Sequence, residues 1–170
     1  KHRFTLHGEL NRKLEQMRSD PLVTGMNTFL CGEGVTSDLA ILSSGTAAAY
    51  AADELAERGL SDKIPLLAVG CQWPLPEKKI VSVLERYEKV LILEETSPFM
   101  EMLLRHRLAT SGRYDGLIPL EGEITPDTVV KAVDGFFTLH ASRFTLHEKE
   151  VGKAESDPLE AEAVTTKPSP

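Results

Sequence analysis

Short apolar runs alternate with helical patterns through the central part of the chain. Three runs are five residues long and lack the polar residue at every second position that a half-exposed strand shows; they span residues 39–43, 65–69 and 89–93. Continuous apolar strands are typical of a parallel sheet that helices cover on both faces. Because crossovers between parallel strands are right-handed, the pattern predicts a three-layer α/β/α sandwich with a mainly parallel sheet.

Segments with helical spacing lie before, between and after these runs. The first predicted helix is amphipathic and ends at residues 20–21, where Asp precedes Pro; its apolar stripe is Leu6, Leu10, Leu14 and Met17. Further helices are predicted from 46 to about 58, from 74, from 98 to about 110, and from 125. The fourth of these five helices is expected to bury Phe99, Met102 and Leu103, and the last has a hydroxyl cap at Thr125. Residues 116–120 predict a weak fourth strand.

Changes in composition along the chain predict three regions. Residues 1–38 are expected to form the amphipathic helix and a connector. Residues 39–141 are expected to form the α/β domain, and residues 142–170 an acidic, Pro-containing inter-domain linker. The linker contains too few large apolar residues to offset the entropy of ordering it. Because the chain begins with Lys1 rather than Met, we expect it to belong to a longer protein.

Charge and cysteine content narrow the class of protein. The formal net charge is −7, which disfavours binding to nucleic acid because phosphate backbones are repelled. No apolar stretch approaches the roughly 20 residues of a membrane span, so no membrane partner is expected. The chain has two cysteines, Cys31 and Cys71, which are too few for a disulfide framework and lack metal-site spacing. We expect both to be buried in a protein of the reducing cytoplasm.

A possible ligand loop follows the first predicted strand of the domain. Ser44, Gly45 and Thr46 lie between that strand and a helix, where open α/β sheets bind ligands and helix amides attract anions. The loop has a single glycine and no following lysine. A tight turn with a helix cap explains it more simply.

Two further places could take part in an interface or a ligand loop. Glu94 and Glu95, with Glu101, form an acidic cluster at a strand end, which suggests a metal site or carboxylates that favour the start of the next helix. Adjacent strand residues point to opposite faces, which disfavours the metal site. Trp73 could be a ligand platform or could cover the edge of the core. The residues predict no catalytic, cofactor-binding or metal-binding site.

Four motifs in order resemble one family, the alpha subunit of indolepyruvate:ferredoxin oxidoreductase. They are Ser-Gly-Thr at 44–46 with Tyr50, the segment 69–77 (VGCQWPLPE), the segment 90–101 (VLILEETSPFME), and the segment 122–127 (GEITPD). The resemblance covers about residues 6–135. Trp73 departs from the family pattern, in which a tyrosine is expected.

The resemblance implies a transketolase C-terminal-like domain within a larger enzyme. That enzyme would oxidatively decarboxylate aryl pyruvates to acyl-CoA with thiamine diphosphate, Mg²⁺ and 4Fe-4S clusters. Its partners would be the flanking thiamine-binding domains of the same chain, a second subunit in a homo- or hetero-oligomer, and ferredoxin as electron acceptor. This segment would then be a non-catalytic structural and interface domain that contains no cofactor itself.

Two other functions remain open from the residues. One is an autonomous flavodoxin-like or nucleotide-binding protein that uses the loops at Ser44 and Glu94. The other is a regulatory module whose acidic tail binds a partner protein.

Overall fold

The computed structural model of the protein describes residues 2–142. Two helices and an edge strand come first, and strands and helices alternate from β2 onward. The elements are α1 (His2–Ser19), α2 (Pro21–Gly25), β1 (Thr28–Cys31), β2 (Leu39–Ser44), α3 (Thr46–Glu57), β3 (Leu66–Val69), α4 (Glu77–Leu84), β4 (Lys89–Leu93), α5 (Phe99–Leu104), β5 (Thr110–Ser111) and α6 (Pro126–Leu139).

The five strands form one mixed sheet in the order β1-β3-β2-β4-β5. Strands β2, β3, β4 and β5 run parallel, and β1 pairs antiparallel with β3 at one edge. In the register of the central strands, Ser43 of β2 lies beside Ala68 of β3 and beside Leu93 of β4. The carboxyl ends of these three strands therefore lie side by side, at the same end of the sheet.

Alternate side chains of β2 enter two separate cores. Leu39 and Ile41 pack with residues of α3 and α6, whereas Ala40 and Leu42 pack with residues of α4 and α5. All six residues of β2 are buried. The sheet is thus covered by helices on both faces, and the predicted three-layer fold with a mainly parallel sheet is confirmed.

An ion-pair cluster joins the two helices on one face. Arg58, the residue after α3, donates a hydrogen bond to Glu54 of α3 and pairs with Asp134 of α6, with 2.7 Å between Nη1 and Oδ1. Thr125 caps α6, since its hydroxyl accepts a hydrogen bond from the Thr128 amide, and Pro126 follows in the first turn. This is the helix start that the sequence predicts.

Some predictions at the level of elements are wrong. The connector contains an additional strand, β1, and residues 116–120 form no strand; only Ile118 and the half-buried Leu117 of that run reach the core. Helix α5 ends at Leu104 rather than near 110. Its fully buried residues are Met100, Glu101 and Leu104; of the expected set, Phe99 and Leu103 are half-buried against the core and Met102 is 52% exposed. The predicted linker beyond residue 142 lies outside the described residues.

Helix α1 contributes nothing to either core. It has the predicted extent and ends before Asp20, but none of its residues is buried, and Leu6 and Leu10 are about half exposed. Its links to the domain lie near its carboxyl end, where Glu15 approaches Lys78 of α4 at 3.7 Å. The helix that carries the predicted apolar stripe is present, but the stripe is not buried against the described domain.

Candidate functional site

The strand order predicts a crevice at the carboxyl end of the sheet, between the ends of β2 and β4. The chain leaves β2 into α3 on one face of the sheet, and it leaves β4 toward α5 on the other face. Connections that diverge from adjacent parallel strands leave a gap in which open α/β sheets bind ligands. The sequence-predicted loop residues Ser44, Gly45 and Thr46 line one side of this crevice, and Glu94 and Glu95 line the other.

Two buried serines tie β2 to its neighbours at this edge. The Ser43 hydroxyl donates to the Leu93 carbonyl of β4 at 2.9 Å. The Ser44 hydroxyl accepts a hydrogen bond from the Gln72 side-chain amide in the loop after β3. Both serines are almost fully buried, so neither hydroxyl is presented to a ligand. Their role in the described structure is to hold three strand ends in register.

Gly45 and Thr46 turn the chain from β2 into α3. Gly45 has φ +61°, a region that strains residues with a side chain, although a Cβ there would meet open space. Across the crevice, the Thr46 hydroxyl donates to the carboxylate of Glu95. This contact places a negative charge at the first turn of α3. An anionic ligand at that helix end would have to displace Glu95 or tolerate its charge.

Glu94 turns inward and caps α5. Its two carboxylate oxygens accept hydrogen bonds from the Met100 amide at 2.6 Å and the Glu101 amide at 2.9 Å. The residue before the helix, Pro98, makes no side-chain cap, so Glu94 satisfies amides that would otherwise lack partners. Burial raises the pKa of the Glu94 carboxyl above its ordinary value. Both oxygens are occupied by the backbone.

Glu101 and Arg113 complete a buried polar network beneath the crevice. Oε2 of Glu101 accepts from the amides of Arg113 at 2.8 Å and Tyr114 at 3.3 Å. The Arg113 guanidinium donates twice to the Glu94 carbonyl and once to the Pro119 carbonyl. Both side chains are 2% exposed. Burial raises the pKa of the Glu101 carboxyl above its ordinary value.

Gly112 is required by the close approach of this network. A Cβ at Gly112 would lie 2.7 Å from Oε2 of Glu101 and 3.0 Å from the Ile92 carbonyl oxygen. Because Glu101 is held by two backbone amides, it cannot move aside freely. A side chain at this position would therefore break the network.

Trp73 lies in the loop after β3 and remains largely exposed. Its ring meets Phe99 of α5 edge to face, with 5.8 Å between the centroids, and 59% of the residue is accessible. The Trp73–Pro74 peptide bond is cis. Trp73 lies next to Gln72 and against Phe99, so the structure brings five of the six candidate residues together and leaves Trp73 beside them.

The hydrogen bonds at this crevice link parts of the protein to each other. None of them joins a histidine to a serine or cysteine, which is the arrangement that activates a nucleophile. Among residues 2–142, no group of three or more His, Cys, Asp or Glu side chains is placed to hold a metal ion. Over the same residues, no helix combines the length and apolar character of a membrane span.

Three curated proteins that match the chain share one name, indolepyruvate oxidoreductase subunit IorA. The protein of Methanothermobacter thermautotrophicus is 30% identical over 137 residues, covering 76% of this chain and 22% of that protein. The protein of Methanothermobacter marburgensis is 30% identical over 151 residues, covering 84% and 23%. The protein of Archaeoglobus fulgidus is 28% identical over 164 residues, covering 95% and 25%. The chain is a relative of subunit IorA.

The family resemblance stated from the sequence motifs is thereby confirmed. The chain spans about a quarter of the length of the IorA proteins that it matches. Among solved structures, a chain described as a split gene transketolase, inactive beta4 tetramer, has a TM-score of 0.45 and 20% identity, covering 68% of this chain and 42% of that chain. No protein-family model matches the chain.

The cofactors that the IorA resemblance implies do not fit the residues of this chain. A 4Fe-4S cluster needs four thiolates, and the whole sequence has two cysteines, Cys31 and Cys71. Both cysteines are half-buried, whereas the sequence predicts that they are buried. Mg²⁺ with a diphosphate needs oxygen ligands with free lone pairs at a common point. At the crevice, Glu94 binds two amides and Glu95 accepts from Thr46.

Sequence reasoning missed the buried cation beneath the crevice, Arg113. Arg113 lies in a loop segment without helical or strand periodicity, and nothing in the sequence marks it as buried. Gln72 belongs to the motif at 69–77, but the sequence does not indicate that its side chain donates a hydrogen bond to Ser44. The proposal that acids favour the start of the Pro98 helix agrees with the position of Glu94.

Proposed function

We propose that this chain is a non-catalytic structural and interface domain of an indolepyruvate:ferredoxin oxidoreductase that depends on thiamine diphosphate. The observation that carries the proposal is the use of the polar side chains at the crevice. Ser43, Ser44, Glu94 and Arg113 all bind backbone or side-chain groups of the same domain. The same edge of an α/β sheet in an enzyme domain typically presents reactive groups to a ligand.

The kinship with IorA supports a proposal for the chemistry of the whole enzyme. The enzyme would oxidatively decarboxylate an aryl pyruvate to an acyl-CoA and pass electrons through iron-sulfur clusters to ferredoxin. Thiamine diphosphate and Mg²⁺ would be bound by flanking domains of the same chain, and a second subunit would complete the oligomer. Residues 39–141 would be the domain that braces these parts, with residues 1–38 leading into it and residues 142–170 leading out.

An assay of the chain by itself tests whether it is non-catalytic without the flanking domains and the second subunit. The purified protein is mixed with indolepyruvate, thiamine diphosphate, Mg²⁺, coenzyme A and an oxidised viologen dye that accepts electrons. We expect no dye reduction above a blank without protein, whereas a complete two-subunit oxidoreductase reduces the dye in the same mixture. Reduction of the dye by this chain alone would overturn the proposal.

The position of the crevice supports a second candidate, a flavin or nucleotide site at Ser44 and Glu94. The carboxylate of Glu95 opposes it, because that charge lies at the helix end where a phosphate would bind. Titration with FMN or ATP, followed by tryptophan fluorescence of Trp73, separates the candidates. The structural proposal predicts no saturable change for the protein or for Glu95→Gln.

A further inference from the structure

A cavity lies at the antiparallel edge of the sheet, away from the crevice. It has a volume of about 290 Å³ and is formed where β1 and the turn before it face α4. Its apolar surface comes from Phe29 of β1, Leu67 of β3, and Ile80 and Val83 of α4. We name it the edge cavity. Its volume of about 290 Å³ lies at the lower limit of ligand pockets, which span about 300–1,000 Å³, and this size limits the edge cavity to one small molecule.

The wall of the edge cavity is held in place by the backbone. The Asn27 side-chain oxygen accepts from the Gly70 amide at 3.2 Å, and its NH₂ group donates to the carbonyls of Val23 and Thr24. A Cβ at Gly70 would lie 2.5 Å from the Met26 carbonyl oxygen, so the turn before β1 packs directly on the end of β3. A cavity with a fixed wall requires little ordering when a ligand binds.

Two opposite charges border the edge cavity without pairing. Glu33 and Lys79 both line it, and neither forms an ion pair with the other or with another residue of the part that the structure describes. By contrast, the adjacent Lys78 lies outside the cavity and approaches Glu15. An apolar floor with a free carboxylate and a free ammonium on its border complements a molecule that carries an ammonium, a carboxylate and an apolar group.

We propose that the edge cavity binds a zwitterionic α-amino acid with an apolar side chain. The ligand ammonium would face Glu33, its carboxylate would face Lys79, and its side chain would lie on Phe29 and Val83. The ring of Phe29 favours an aromatic or branched side chain as the apolar group. This proposal does not depend on the activity of the whole enzyme, because it rests on residues of this chain alone.

Titration followed by ¹⁵N NMR tests the proposal directly. The probes are L-phenylalanine and two analogues that each lack one charge, 2-phenylethylamine and 3-phenylpropanoate. We expect saturable shifts at the amides of Phe29 and Val83 with L-phenylalanine, and about five-fold weaker binding of each analogue, as befits exposed ion pairs. Absence of saturable shifts up to the solubility limit, or equal binding of all three probes, would overturn the proposal.

Substitutions of residues that line the edge cavity test whether L-phenylalanine binds there. Glu33→Gln and Lys79→Gln are expected to weaken L-phenylalanine binding about five-fold each, whereas Lys78→Gln leaves it unchanged as the matched control. Val83 of α4 also lines the cavity and is only half-buried, so a larger side chain there can enter the space. Val83→Trp fills the space and is expected to abolish binding.

The Trp variant also controls for effects on folding. Its amide spectrum should retain the shifts of the folded wild type away from the cavity while the response to L-phenylalanine is lost. Unchanged L-phenylalanine binding in folded Val83→Trp would place the molecule elsewhere and refute the proposed site.

Discussion

Glu94 and Glu95 are sequence neighbours with opposite structural roles. Glu94 is 1% exposed and binds two amides of α5, while Glu95 is exposed and meets the Thr46 hydroxyl across the crevice. The difference follows from strand geometry, because consecutive residues at a strand end face opposite sides of the sheet. The sequence shows the acidic cluster but not which carboxylate is committed to the backbone.

Replacement of these two residues separates their contributions to stability. Glu94→Ala leaves two buried amides of α5 without acceptors and should lower the free energy of unfolding by about 2–3 kcal/mol. Glu95→Ala removes an exposed contact and should change it by less than about 0.5 kcal/mol. Urea denaturation of both variants measures the difference. Equal effects of the two substitutions would contradict the roles assigned to them.

The raised pKa of the Glu101 carboxyl predicts how the stability of the folded protein changes with pH. Burial favours the protonated carboxyl in the folded protein, so the contribution of Glu101 to stability is fully present below its ordinary pKa of 4.5 and is lost as the pH rises through the raised value. Glu101→Gln retains one oxygen acceptor for the two amides but cannot ionise. Relative to wild type, this variant should therefore gain stability as the pH increases.

Denaturant midpoints of wild type and Glu101→Gln between about pH 4 and pH 8 test this sign. The midpoint of the variant minus that of wild type should rise with pH. A difference that is constant or falls across the range would show that the carboxylate is stabilised by its surroundings rather than penalised by burial.

At the scale of elements, the sequence predicts those that have a continuous pattern. Strands β2, β3 and β4 and helices α3, α4 and α6 lie where the apolar runs and helix starts predict. Strand β1 was missed because it has four residues, lies at an edge, and is at most half-buried. Strand β5 has two residues, which is too short for any periodicity to appear.

The sequence predicts the buried face of helix α5 only in part, since Phe99 and Leu103 contact the core but Met102 does not. A pattern of apolar residues assigns Glu101 to solvent and Met102 to the core. In the structure the Arg113 and Tyr114 amides bind Glu101 internally, and the helix is rotated so that Met100 and Leu104 are buried. The partner amides lie more than ten residues away along the chain, so local spacing carries no information about this contact.

The exposed position of α1 predicts that the domain does not need it. Deletion of residues 1–19 removes no buried residue, and the contacts that it removes, such as that of Glu15 with Lys78, lie at the surface near the end of the helix. The free energy of unfolding should change by less than about 1 kcal/mol. Leu42→Ala, in the core, should cost about 2–5 kcal/mol by comparison. Chemical denaturation of both variants makes the comparison, and loss of cooperative unfolding after the deletion would contradict the structure.

At the scale of the whole molecule, the fold class and the family were accessible from the sequence, but the use of the crevice was not. The motifs at 44–46 and 90–101 mark the correct edge of the sheet. Their functional meaning depends on which polar groups are already paired, and that depends on contacts such as those of Gln72 and Arg113. Pairing across 19 or 28 residues is set by the tertiary structure.

The proposed structural role requires that internal contacts occupy the polar groups at the crevice and that the crevice binds no thiamine cofactor. Isothermal titration calorimetry of the purified chain with thiamine diphosphate and Mg²⁺ tests this most directly. We predict no heat beyond that of dilution, for wild type and for Glu95→Gln alike. Saturable binding with a micromolar Kd that is weakened by substitution of Ser44 or Thr46 would contradict the claim.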